Sequence, residues 1–246
     1  MNNKTKENNL KEKLRQALIS TEKVISEDFK NTDNSIRDRS LKRFEFNDLV
    51  NLNSMNDFVK ARAESDSFAL KKKFSNDKIF KKNLPINSLC QSLYTIAEKV
   101  RYESLGAKML NGVKKNLTDN YNLLIASKRK DKIKNKEDVP VAEAFELYML
   151  KKFCNLELNP LTNNILSFWE KDFDYAIEKH IKFFIENLEF QDEYSSKFSE
   201  ILQKMEIFQN EENDETKEKN QEDGQNNPSN EEKDNHLEDK KDQNKD

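Results

Sequence analysis

The sequence predicts an all-α protein, and three observations carry the prediction. Apolar residues recur at helical spacing in six stretches between Leu10 and Met205. Helix-start signals precede three of them: Ser54 with Asp57, Asp138 with Pro140, and Pro160. The one stretch that alternates as a strand would, Phe44-Glu-Phe46, is short enough to allow a small extended piece within 39–52 and no sheet.

In chain order, Leu10, Leu14, Ala17, Leu18, Val24 and Ile25 define an amphipathic helix over about 10–29, and the turn formers of 31–35 end it. The serine oxygen of Ser54 and the carboxylate of Asp57 form a capping box for a second helix, with Met55, Phe58, Val59, Ala69, Leu70 and Phe74 on one face. Asp66 falls on or near that face, and Arg62, one turn earlier, is its nearest available partner; the pair reads as structural or solvent-exposed rather than catalytic. Pro85 breaks the chain, and a third helix starts near Ser88 with Leu89, Leu93, Ile96, Ala97, Val100 and Ala107 along one side. Glu98 and Arg101, three apart, share a face and suit an ion pair on a core helix; the sharper alternative has Arg101 and Glu103 reaching to another helix or subunit. Lysine-rich 128–137 reads as a solvated loop. Helices follow from Asp138-Val-Pro140 (Val141, Ala144, Phe145, Tyr148, Met149, Phe153), from Pro160 (Ile165, Leu166, Trp169, Phe173, Ile177, Phe184, Ile185, Leu188), and over Tyr194, Phe198, Ile201, Leu202 and Met205.

Composition limits what such a protein can do. At 36% charged against 35% hydrophobic the chain is more polar than an ordinary globular domain, which predicts an unfolded part. The segment from Gln209 to Asp246 holds 14 acids against 6 lysines, a balance of −8, and is expected to be a disordered acidic tail or linker; the formal −3 of the whole leaves +5 for the rest. That surplus is too small for a nucleic-acid footprint, and the lysine-rich loop lacks interleaved aromatics. The organisation expected is a disordered start over 1–9, a helical domain over 10–208 and the tail over 209–246. No apolar run approaches the ~20 residues of a membrane span and the start lacks a signal-peptide core, so a cytoplasmic location is expected. Cys90 and Cys154, far apart, fit neither a disulfide framework nor a zinc site. His180, at the edge of an apolar stripe, reads as packed or partner-facing, and His236 lies in the tail. There is no phosphate-binding glycine motif. The residues alone describe a helical interaction module with an acidic tail and name no reaction.

Two of the 3 glycines, Gly106 and Gly112, stand close together, and a glycine in a helix costs about 1 kcal/mol relative to alanine, so close packing or a helix stop is expected there. The run that holds them, Glu98-Lys-Val-Arg101-Tyr-Glu103-Ser-Leu-Gly106-Ala-Lys-Met109-Leu-Asn-Gly112-Val-Lys-Lys-Asn116-Leu117, resembles the Glu-x-x-Arg-x-Glu-x-x-Gly-x-x-x-Met-x-Gly-Val-x-x-Asn-Leu stretch of the cobaltochelatase T-subunit (CobT) family, with a one-residue difference at Met109. Leu14 to Ile25, Asp66-Ser-Phe-Ala-Leu70, Asp138-Val-Pro-Val-Ala-Glu-Ala and Pro160 to Trp169 are similar to further family segments in the same order, so the resemblance covers most of 10–208. Ser75-Asn76 departs from it, where the family pattern has His-Asp.

The resemblance implies a subunit of the aerobic, ATP-dependent cobaltochelatase, a ligase forming nitrogen–metal bonds. That complex inserts Co²⁺ into hydrogenobyrinic acid a,c-diamide during cobalamin synthesis. The subunit would be non-catalytic alone and bind no cofactor or metal itself. An AAA+ subunit (CobS) would use ATP and Mg²⁺, and a large subunit (CobN) would hold the tetrapyrrole. The family places a von Willebrand A-type domain with an Asp-x-Ser-x-Ser metal site after the acidic linker, and the sequence ends at Asp246 ahead of one. Glu98, Arg101, Glu103, Gly106, Gly112 and Asn116 are the candidate contact or architecture residues, and Arg101→Ala is expected to weaken assembly with helix content kept. The alternative is a helical scaffold whose acidic tail binds basic proteins, with no part in metal insertion.

Overall fold

The computed structural model describes residues 3–27, 54–127, 133 and 135–205, with side chains from residue 9 onward. The break at 31–35, the extended piece within 39–52, most of the lysine-rich loop, His236 and the acidic tail lie outside the described residues. Those described form ten α-helices and no strand: α1 (Asn3–Ser26), α2 (Met55–Phe74), α3 (Asp77–Lys82), α4 (Ser88–Met109), α5 (Asn111–Ser127), α6 (Val141–Phe153), α7 (Pro160–Ser167), α8 (Glu170–Ile177), α9 (Ile181–Glu186) and α10 (Gln191–Lys204). Two single 3-10 turns, Lys136–Asp138 and Glu178–His180, join them.

Local chemistry sets the helix starts. Ser54 accepts from the Asp57 amide while Asp57 accepts from the Ser54 amide, closing the predicted capping box. Asn76, Asn87 and Asn159 cap α3, α4 and α7, and Pro160 occupies the first turn of α7, where its missing N–H costs nothing. Asp138 closes the 3-10 turn ahead of α6 by accepting from the Asn135 amide, and α6 starts after Pro140.

α4 is the central element and packs against α2, α5, α6 and α10; α1 lies on α2. One face of α4 enters the main core with α6 to α10, where Phe184 stacks on Phe198 at 4.1 Å between centroids and Phe145 meets Phe173 edge-on at 5.3 Å. The opposite side, through Tyr102, joins a second cluster with Ile25, Ala63, Ala69, Leu70, Val113, Leu117, Tyr121 and Leu150.

The structure revises several expectations. α3 and α5 are additional to the six predicted helices. The stretch from Pro160 to Leu188 is three α-helices and a 3-10 turn rather than one helix. Its apolar residues recur mainly four apart, which drifts by about 40° per step around a 3.6-residue turn, so one straight helix could not aim them all at the same neighbour. The breaks re-aim the chain, and Ile165, Leu166, Phe173, Ile177, Phe184 and Leu188 are all buried. Leu10, Val24, Met55 and Ile185, placed on apolar faces by their spacing, are exposed.

The two glycines differ. Neither has positive φ and neither ends a helix; the break between α4 and α5 is Leu110, which is extended at φ −131°, ψ 108°. A Cβ on Gly106 would lie 2.3 Å from Leu70 Cδ2 and 2.9 Å from its Cγ, so the missing side chain is what lets α2 and α4 approach. Gly106→Ala is expected to destabilise the fold by about 1–3 kcal/mol in urea unfolding. Adding Leu70→Ala should cost less than the sum of the two single changes, because the second substitution removes the clash.

Candidate functional site

Four of the candidate residues, Glu98, Arg101, Glu103 and Gly106, lie on α4 and two, Gly112 and Asn116, on α5; the structure places Glu98, Arg101 and Glu103 in two buried polar clusters. In the first, the Arg101 side chain has no exposure and makes an ion pair with Glu98 on the preceding turn, Nε to Oε2 at 3.3 Å. Its other nitrogens donate to the Leu188 carbonyl (2.9 Å), the Phe74 carbonyl (2.7 Å) and Ser75 Oγ (3.3 Å). Glu98 also accepts from Ser195 Oγ (2.5 Å) and Gln191 Nε2 (3.1 Å), both one turn apart on α10. Gln191 Oε1 in turn accepts from the Asn76 amide at 2.7 Å. Ser75 and Asn76, where the sequence departs from the family pattern, therefore sit against this cluster, as a partner of Arg101 and as the cap of α3.

The second cluster lies one turn further along α4. Glu103 is buried and accepts from Ser67 Oγ at 2.5 Å and from Tyr121 Oη. Burial raises its carboxyl above the ordinary value, against the opposing pull of Lys99 and of the two hydroxyls. Burial also pushes the Tyr121 phenol up, with the Glu103 charge adding to it, and drives the Cys154 thiol up to about 12. Beside this cluster Asn116 Nδ2 donates to Asp66 Oδ2 at 2.7 Å. Burial raises Asp66, while the Asn116 hydrogen bond and, more weakly, Arg62 pull it down. Arg62 is exposed and acts on Asp66 through its charge, while the hydrogen bond to Asp66 comes from Asn116 on α5.

Both readings of the α4 charges hold at once: Glu98 and Arg101 are an ion pair on a core helix, and Arg101 and Glu103 also reach other helices of the same chain. Gly106 is buried against Leu70, Asn116 is half-buried, and Gly112 is exposed. Sequence reasoning missed Ser67, Tyr121, Gln191 and Ser195. The available signal was the polar pair Gln191 and Ser195, four apart on a helix whose neighbouring positions Tyr194 and Phe198 are apolar.

This arrangement positions helices against one another. Burial keeps the Cys154 thiol protonated near neutral pH, and both oxygens of the buried Glu103 are hydrogen-bonded inside the fold. Among the described residues no three His, Cys, Asp or Glu side chains are grouped to hold a metal ion. His180 lines an open groove of about 710 Å³ between α8 and α10 with Lys197 and Glu200, and partial burial and the two neighbouring lysines lower its pKa. No helix among the described residues is long and apolar enough to cross a membrane.

Fold and site define an all-α protein whose buried charges on α4 are met by groups of α2, α5 and α10, while the buried hydroxyls of Ser65 and Ser104 have no hydrogen-bond partner among the described residues. The family model of the cobalamin biosynthesis protein CobT matches residues 8–246, and the chain belongs to that family. Its role accordingly lies in cobalamin biosynthesis, and the family is linked to cobaltochelatase, a ligase-type chelatase that works as a protein complex. No curated protein and no solved structure matches the chain.

Two outcomes test the clusters. Arg101→Ala leaves the Glu98 carboxylate buried and unpaired, so it should lower stability by about 3–5 kcal/mol in denaturant unfolding; burial moves its expected effect from assembly to folding. Burial favours the protonated form of Glu103 in the folded chain relative to the unfolded one, whose carboxyl titrates at about 4.5. Stability therefore falls as pH rises from 4.5 towards the raised value, by about 1.4 kcal/mol per pH unit for that group. Glu103→Gln should remove this part of the slope, measured by urea unfolding at successive pH values. An unchanged slope would show Glu103 ionised in the folded state.

Proposed function

We propose that this chain is the T subunit of the ATP-dependent aerobic cobaltochelatase and couples its AAA+ motor subunit to the large subunit that holds hydrogenobyrinic acid a,c-diamide. The family match over nearly the whole chain carries this reading. The site agrees with it: Glu98, Arg101 and Glu103 of α4 are enclosed and hydrogen-bonded to neighbouring helices, which suits a part that transmits force through packed helices. In this scheme the chain is non-catalytic alone. Co²⁺ is a substrate of the complex, and ATP with Mg²⁺ belongs to the motor. The chain works in the cytoplasm with its partner subunits, its helical body making the contacts and the acidic stretch after Gln209 serving as linker.

Light scattering on a sizing column tests the proposal. Mixed with the AAA+ subunit, ATP and Mg²⁺, the chain should enter a large nucleotide-dependent complex, and adding the large subunit with Co²⁺ and tetrapyrrole should give metal insertion that fails when this chain is left out. Separate elution under every condition, with insertion indifferent to the chain, would overturn the proposal and favour the scaffold whose acidic tail binds basic proteins.

A further inference from the structure

Gly106 has its reason inside the fold, in Leu70; Gly112 has none. It is the second residue of α5, its φ is not positive, and a Cβ built on it meets nothing within 4 Å. A glycine in a helix interior costs about 1 kcal/mol relative to alanine and less in a first turn such as this one, and nothing in the rest of the fold packs against Gly112. Beside it the chain exposes two large apolar side chains, Met109 at 57% and Leu110 at 42%, on the corner between α4 and α5. Met109 is the last residue of α4 and Leu110 is the extended residue that breaks it from α5, and both are exposed there.

Lysines dominate the charge close to this corner, and the next acid along α5 is Asp119, one turn after Lys115. From Ser104 to Thr118 there are three lysines, Lys108, Lys114 and Lys115, and no acid, in a chain whose formal charge is −3. All three are exposed, and none is in an ion pair among the described residues. The first turn of α5 has no acidic residue either.

We propose that the α4–α5 corner is a protein-docking surface whose occupant is a partner presenting an apolar socket flanked by carboxylates. Met109 and Leu110 enter the socket, Lys108, Lys114 and Lys115 meet the carboxylates, and Gly112 lets the partner's backbone come close. Charge complementarity argues for an acidic partner, and the two apolar anchors require that it also supply apolar depth. The chain's own stretch after Gln209 is acidic but holds a single aliphatic residue, Leu237, and cannot form such a socket. A lipid surface would take the lysines and the apolar pair but gives a missing side chain no use. This inference rests on the chelatase reading, within which the occupant is another subunit of that complex.

The experiment uses sedimentation velocity of the full chain with the AAA+ and large subunits, ATP and Mg²⁺. It compares the unaltered chain with Gly112→Leu, with Met109→Ser/Leu110→Ser and with Lys114→Glu/Lys115→Glu. Ile86→Ser is the control, an exposed apolar residue just ahead of α4, whose 22 residues put it about 33 Å from the corner. Each corner variant should keep its circular dichroism and melting temperature, because the altered atoms lie outside the core, and should bind at least tenfold more weakly, while Ile86→Ser binds normally. If the unaltered chain assembles and the corner variants match it, the corner inference fails and the chelatase reading stands. If the unaltered chain joins neither subunit, both fail. Self-association of the chain alone that the corner variants abolish would replace the partner by a second copy. Co-sedimentation with phosphatidylserine vesicles, lost in the same variants, would replace it by a membrane; either result overturns the proposal.

Discussion

The buried guanidinium of Arg101 sets the terms for much of the fold. A cation removed from water costs several kcal/mol unless its donors are met, and the planar fork of arginine needs acceptors in fixed directions. Here they come from far apart in the chain: the Phe74 carbonyl at the end of α2, the Leu188 carbonyl between α9 and α10, and the Glu98 carboxylate on α4 itself. Glu98 is satisfied in turn by Gln191 and Ser195, which fix the register of α10. Placing one charge inside thus ties the end of α2, the approach to α10 and α10 itself to the middle of α4.

Most of α4 is covered by its neighbours, apart from the exposed stripe of Ser88, Ser92 and Thr95 near its start. Its aliphatic side enters the aromatic core, its charged turn is closed by α10, and the turn carrying Glu103 and Gly106 is closed by α2 and α5. Residues that look reactive in the sequence are therefore out of a partner's reach, and what a partner can meet is the helix ends and the outer surfaces. For a member of a chelatase-linked family this is a coherent division. A rigid helix with consumed interior chemistry passes displacement from one end to the other without rearranging, and packed interiors have low compressibility.

Much of the secondary structure could be read from the sequence because its causes are local. Ser54 and Asp57 close a capping box within four residues, and the apolar spacing of α6 and α10 survives intact as buried faces. α5 was hidden because Lys114, Lys115, Asn116, Thr118, Asp119 and Asn120 surround Val113, Leu117, Tyr121 and Ile125, whose i, i+4 spacing is sound but thin. α3 has no buried residue, so no apolar pattern marked it. In the site, the Glu98–Arg101 pair was legible because three residues of helix bring the two charges together. The backbone carbonyls that complete Arg101 have no residue identity and leave no trace in sequence. Asp66 was matched to Arg62 because only the neighbour on its own helix is visible from sequence; Asn116 stands 50 positions away.

The sequence by itself determined that this protein is helical, where most of its long helices start, and which family it joins, since these follow from a 3.6-residue repeat, from caps and from a dense motif read within a few turns. Tertiary structure alone decided which of the motif's residues face inward, that Gly106 is there for Leu70 while Gly112 faces open space, and that the apolar run after Pro160 bends into three helices. Those outcomes depend on distances between segments far apart in the chain, and they are fixed by the free energy of packing and desolvation over the whole molecule, which no single stretch of residues contains.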